Sequence, residues 1–263
     1  MADFSAKDVQ RLRQTTGAGM MDAKRALTEA GGDFEVAAKW LREKGLVQQE
    51  KRKDRENTEG TVAVGSAAGA AAIAQLRAET DFVAKNPDFK GLVEEIAQTV
   101  AAEGEGAVDQ LTSRIDDLKV SLKENIELGE VVRFEAAPGN VLSHYLHMQN
   151  ERGVNAVLVE LAGGTEEQAR ELAMHVAFAR PPYLSRHDVP ETEVAEKRQE
   201  YENISRNEGK PEQALPKIVE GRLGGFYREA CLLEQKFVKD EKQTVEQYLG
   251  DAKVVRFAQV EIG

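Results

Sequence analysis

Ala71-Ala72-Ile73-Ala74-Gln75-Leu76 runs on to Thr80-Asp81-Phe82-Val83, and Asn86-Pro87-Asp88 follows. The first segment is small or apolar almost throughout and reads as a buried strand, while the residues from Asp88 onward carry helical periodicity. Asp81 and Phe82 therefore fall at a strand exit, where side chains project from a rigid element. Two readings stay open at this point. Thr80 or Asp81 caps the next helix and Phe82 tucks into the core as a hydrophobic staple, or the carboxylate and the ring stand outside as a recognition pair.

The flanking segments repeat one pattern. Thr61–Val64 and Ala70–Leu76, joined by Gly65–Gly69, suggest a hairpin. A helix from about Asp88 to Ala102 places Phe89, Leu92, Val93, Ile96 and Val100 inward. A second helical stretch over 109–126 precedes a strand at Val131–Ala136, and Pro138-Gly139 punctuates the chain. Val141–Met148 and Val154–Leu161 then form another hairpin, followed by a helix from Thr165 to about Ala179. Within the two long helices, Ile96-Ala97-Gln98-Thr99-Val100-Ala101 echoes Leu172-Ala173-Met174-His175-Val176-Ala177. An internal duplication explains this economically. The class is α+β, with two related subdomains built on antiparallel sheets.

Ahead of the repeat, residues 1–47 read as three short helices. Ser5 and Asp8 form a capping box for the first, Met20, Met21, Ala23 and Leu27 follow helical spacing in the second, and Asp33 caps the third, which Gly45 is expected to stop. Residues 48–59 are almost wholly charged or polar and read as a connection. Beyond the repeat, residues 190–228 suggest an antiparallel helical hairpin with a narrow apolar seam of Val194, Tyr201 and Ile204 against Leu215, Ile218 and Val219. A last strand runs over Val254–Ile262. The expected division is 1–55 for the helical module and linker, 56–139 for one subdomain and 140–263 for the other.

The 263 residues carry a formal net charge of -11, with 41% hydrophobic and 31% charged. So acidic a chain repels phosphate backbones, so direct nucleic-acid binding is not expected; the basic run Lys51-Arg52-Lys53-Asp54-Arg55 is broken by an acid and reads as solvated linker. A single cysteine, Cys231, excludes an intrachain disulfide and fits a reducing cytoplasm. No stretch has the length of a bilayer span, and the N-terminus lacks the pattern of a secretory signal. No phosphate-cradling glycine loop, His-Glu-x-x-His or Cys-x-x-Cys pair occurs, so neither cofactor nor metal is expected. His144 and His147 sit at odd spacing on one strand, His175 reads as a packing residue and Cys231 as a small core residue. Nothing forms a catalytic constellation.

Four blocks carry a resemblance. Leu12-Arg13-Gln14-Thr15-Thr16-Gly17-Ala18-Gly19-Met20-Met21-Asp22-Ala23-Lys24-Arg25-Ala26-Leu27, Thr80-Asp81-Phe82-Val83-Ala84-Lys85, Ala173-Met174-His175-Val176-Ala177 and Val219-Glu220-Gly221-Arg222-Leu223 occur in order along the chain. Together they resemble the bacterial elongation factor Ts family. The resemblance implies a guanine-nucleotide exchange factor for the GTPase elongation factor Tu, with a ubiquitin-associated-like three-helix module, two related subdomains and a coiled-coil protrusion. It further implies that Thr80, Asp81, Phe82 and Val83 enter the GTPase near the nucleotide phosphates and displace its magnesium. Met20, Met21 and Lys24 would contact a helix of the GTPase domain, and His147 matches a partner-contacting position. Two departures stand out: Pro216 lies where family helices usually continue, implying a shorter or bent protrusion, and the chain ends at Gly263, without the further C-terminal helix of some relatives. On the residues alone, a translation-linked scaffold or chaperone-like module without exchange activity remains the alternative.

Overall fold

A computed structural model describes residues 4–50 and 52–263, with the side chains of 46–50 excepted. Met1–Asp3, at the start of the chain, and Lys51 of the basic run lie outside the described residues. The chain packs as two compact units. One takes the residues up to Arg133 together with Leu146–Ala156 and Val260–Gly263; the other takes Phe134–Tyr145 and Val157–Gln259.

The first unit opens with helices α1 (Ala6–Thr16), α2 (Met20–Glu29) and α3 (Phe34–Glu50) around buried Val9, Leu12, Ala23, Ala26, Leu27, Ala37 and Leu41. Ser5 and Asp8 form the expected capping box, and the Val36 amide donates to Asp33 at 3.0 Å. Gly45 does not stop α3. The helix runs through it, and a Cβ there would lie 2.5 Å from Val120 Cγ1, so the glycine serves close approach to a neighbouring helix rather than termination.

Strands β1 (Glu59–Ala67) and β2 (Ala70–Ala78) form an antiparallel hairpin. Its turn is the pair Ala68-Gly69, with Gly69 at φ 73, and not the five residues 65–69 expected. Gly65 stays inside the strand: a Cβ would lie 2.2 Å from the Ala97 carbonyl oxygen of α5 (Pro87–Glu103). The Gln98 side chain then grips the same strand, donating to Ser66 O at 2.9 Å and accepting from Ser66 N at 3.2 Å. Between β2 and α5 stands a four-residue helix, α4 (Asp81–Ala84). A 3-10 turn (Glu105–Leu111) and α6 (Thr112–Leu122) take the place of the single helical stretch expected over 109–126, and β3 (Glu127–Glu135) follows, starting four residues before the strand expected at Val131–Ala136. Lys123 ends α6 at φ 60. Buried Gln75 is satisfied: it accepts from Glu130 N at 3.1 Å and donates to Glu261 O at 2.8 Å. Phe89, Leu92, Val93, Ile96 and Val100 lie in the core beneath the sheet, as their spacing predicts.

Strands β4 (Asn140–Gln149) and β5 (Arg152–Ala162) are joined by Asn150-Glu151, both at positive φ, as a tight hairpin requires. Helix α7 (Glu166–Ala179) follows, capped by a Thr165–Gln168 box. α8 (Glu191–Asn207) and α9 (Leu215–Ala230) pack against each other. Leu215, Val219 and Leu223 are buried in their seam, while Val194, Tyr201 and Ile204 are half-buried. Ion pairs supplement it: Arg198 with Glu220, Arg222 with Glu208 at 2.8 Å, and Arg206 with Glu202 at 2.6 Å and Glu212 at 3.1 Å. Pro216 bends nothing, because it sits in the first turn of α9, where its missing N–H has no helical partner to lose. A small pair, β6 (Lys236–Phe237) and β7 (Asp240–Thr244), and α10 (Val245–Leu249) are elements the sequence patterns did not reveal. β8 (Lys253–Glu261) closes the chain.

The two three-stranded sheets have the orders β1-β2-β3 and β4-β5-β8. Each is a hairpin, a helix after its second strand, and a later strand on that strand's free side, which is the duplication in structural form.

Two glycines give opposite expectations. Gly65→Ala forces a methyl onto the α5 backbone and should destabilise by about 1–3 kcal/mol. Gly91→Ala, exposed inside α5 with open space around it, should stabilise by about 0.5–1 kcal/mol. Urea unfolding of both variants checks the pair.

Candidate functional site

Both halves of the open question at Thr80 are answered. Thr80 caps α4, its hydroxyl oxygen accepting from Val83 N at 3.3 Å. Phe82 is no staple: its side chain is 83% exposed. The reason is positional. A staple residue precedes the cap; that position is Glu79 for α4 and Lys85 for α5, whose caps are Thr80 and Asn86. Phe82 instead lies one residue inside α4 and projects from it.

The turn is anchored on three sides. Val83 packs against the core cluster and Ala84 is buried. The hydroxyl of buried Thr61, on β1, donates to Ala84 O at 2.8 Å. Asn86 caps α5 by accepting from Asp88 N at 2.8 Å and Phe89 N at 3.3 Å, with Pro87 in the first helical turn. The β4–β5 hairpin holds the flanking elements instead: Arg152 donates to Gly60 O at 2.8 Å and Glu59 Oε2 at 2.5 Å on β1, and the Lys90 ammonium of α5 donates to Glu151 O at 3.0 Å. The backbone that carries the ring is held, and nothing covers the ring itself.

Asp81 is partly exposed and takes a hydrogen bond from Lys85 at 2.6 Å. That bond, then the Lys85 charge and the more distant Arg152 guanidinium, hold its carboxyl below the usual carboxylate range despite opposing desolvation. The pair Asp81–Phe82 thus presents a fixed anion beside an uncovered aromatic face.

Met20 and Met21 open α2 and are 47% and 75% exposed. Lys24 is exposed one turn further on, so the three share a helix face. His147 is exposed near the end of β4 and neighbours exposed Met148. All these residues belong to the same unit as Phe82, though the two methionines and the aromatic ring stand on different elements. Sequence reasoning missed Phe178, exposed on α7; the signal was available, since it falls off the Ala169, Leu172, Ala173, Val176 stripe. It also missed Arg152 and Glu124, whose roles appear only through partners far away in sequence.

Two buried side chains with reactive groups, His175 and Cys231, are structural. His175 is buried, accepts from Val238 N at Nδ1 and meets Gln235 Oε1 through Nε2 at 2.9 Å, which fixes its neutral tautomer; burial lowers its pKa. Burial pushes the Cys231 thiol up to about 11, so it is no ready nucleophile.

Residues 79–263 match the family model described as elongation factor Ts. The chain is 42% identical to elongation factor Ts of Deinococcus deserti, over 98% of this chain and 99% of that one. It is 44% identical to those of Clavibacter michiganensis subsp. michiganensis and Acidothermus cellulolyticus, each over 100% of this chain and at least 99% of the relative. The chain belongs to the elongation factor Ts family. Its role is that of a nucleotide-exchange elongation factor of protein synthesis. Among the described residues, no helix is long and apolar enough to cross a membrane.

The Asp81–Lys85 pair has a definite pH signature. A carboxyl with a depressed folded-state pKa contributes its stabilisation above the unfolded value and loses it as pH falls through the folded value. The pair is therefore fully formed at neutral pH. A carbon-detected NMR titration should place the Asp81 midpoint below that of a free aspartate, and Lys85→Met should raise it.

Proposed function

We propose that the Asp81–Phe82 pair inserts into the GTPase elongation factor Tu and disturbs the magnesium and phosphate contacts that hold GDP, so that GDP leaves and GTP reloads. The observation that carries this reading is the uncovered Phe82 ring on a capped, anchored turn. A large apolar ring gains most when a partner buries it, and such an anchor contributes about 2–4 kcal/mol to an interface. Spent on displacing groups around the phosphates, that energy weakens the grip on nucleotide. The coupling is reciprocal: a factor that loosens GDP is itself loosened by GDP, so fresh nucleotide expels it and the cycle repeats. The chain acts by binding, with no covalent step of its own.

Thr80 and Val83 support the pair, one as cap and one as core anchor. Met20, Met21 and Lys24 form a second contact on the GTPase, and His147 a third. The segments 1–55, 56–139 and 140–263 divide this work as helical module with linker, prong-bearing subdomain, and second subdomain with helical hairpin. The preferred partner state is GDP-bound or nucleotide-free, in the cytoplasm, with neither nucleic acid nor membrane taking part directly.

Because its ring is exposed, Phe82→Ala should change stability by no more than about 0.5 kcal/mol. The same variant should slow catalysed release of fluorescent GDP by at least ~10-fold, and release at the unmodified rate would refute the wedge. Met21→Ala should behave differently, raising the half-saturating concentration about 3- to 10-fold with the limiting rate nearly kept, since it removes binding away from the nucleotide.

A further inference from the structure

Four residues make a very short helix, and α4 holds itself together with few bonds, among them Ala84 N to Thr80 O at 3.2 Å and Lys85 N to Asp81 O at 3.1 Å. Its direction is therefore set by what holds its two ends: the capped start of α5 fixes the far end, and the root fixes the near one. The root is Glu79–Thr80, and the chain after α6, turned by Lys123 in its left-handed conformation, brings half-buried Glu124 against it.

Glu124 Oε2 accepts from the amides of Glu79 and Thr80, both at 3.1 Å, and Oε1 accepts from the Thr80 hydroxyl at 2.6 Å. One carboxylate thus takes all three donors of the two root residues. The arrangement is reciprocal, because Glu79 Oε1 accepts from Asn125 N at 2.6 Å. Buried Asn125 in turn donates to the carbonyls of Lys53 and Arg55, at 3.1 and 2.9 Å, so the clasp is itself held from behind. The single hydroxyl proton of Thr80 is committed to Glu124, which leaves its oxygen lone pairs facing the Val83 amide. The cap of α4 is oriented by Glu124.

We infer that Glu124 is a positioning residue for nucleotide exchange: by holding Glu79 and Thr80 it sets the direction of the turn that carries Asp81 and Phe82. This rests on the wedge reading above, and the experiment separates the two. Fluorescent-GDP release from elongation factor Tu is measured with the full chain and its Glu124→Ala, Thr80→Val, Thr80→Ser and Phe82→Ala variants, and with the Glu124→Ala/Thr80→Val double. Glu124→Ala and Thr80→Val should each lower the limiting release rate about 10-fold, with half-saturating concentrations moved less than ~3-fold. Thr80→Ser, which keeps the hydroxyl, should retain at least about half the rate. The double should lose less than the product of the two single effects, because the bond from the Thr80 hydroxyl to Glu124 is lost in both, and a fully multiplicative loss would overturn the link. Amide exchange at Glu79 and Thr80 should quicken in Glu124→Ala. An unmodified rate for Glu124→Ala beside a slow Phe82→Ala overturns the positioning role and leaves the wedge standing; an unmodified rate for Phe82→Ala overturns both. If Glu124→Ala fails to fold, Thr80→Val decides alone, and an unmodified rate there overturns the inference.

Discussion

The close seat of α5 on β1 fixes the geometry around Phe82. Gly65 lets the helix backbone come within a distance that any side chain would forbid, and Gln98 ties the two elements together at the same point. Once α5 is seated, its capped start at Asn86–Pro87 is fixed in space, and α4 is left spanning the short gap between the end of β2 and that start. The direction of Phe82 follows from where a large helix rests, with the root contacts removing the remaining freedom. The apolar stripe from Phe89 to Ala101 then makes that seat stable by burial.

Much of this was legible before any coordinates. The continuous apolar run ending at Leu76 and the 3.6-residue stripe after Asn86 are strong periodic signals, and they located β2 and α5 to within a few residues. Caps at Ser5, Asp33 and Thr80 were readable because a short polar side chain before an apolar-periodic run has a local job. The glycines misled. Gly45 and Gly65 look like punctuation, yet both serve contact with a helix that is distant in sequence, and no local pattern distinguishes a stop from a close approach. The segment 236–249 was opaque for another reason: its strands have two and five residues, too short for alternation to register.

At the site, two phenylalanines seven residues apart divide two tasks. Phe89 is fully buried and Phe82 is almost bare. The intervening cap at Asn86 explains the difference, because it breaks helical phase and the apolar face of α5 does not extend back to residue 82. The sequence could say that an aromatic stood at a strand exit. It could not say which side chain steadied it, since Glu124 lies dozens of residues away and reaches the turn only through the tertiary fold.

The paired helices α8 and α9 meet along a thin apolar line with Arg198, Arg206 and Arg222 bound to carboxylates beside it. Attraction between such exposed groups is felt over about 8 Å at physiological ionic strength and only about 3 Å in molar salt. The stiffness of this arm is accordingly a property of the surrounding electrolyte as well as of the chain. Dilute buffer favours these pairs, whereas concentrated salt leaves more of the contact between the two helices to Leu215, Val219 and Leu223.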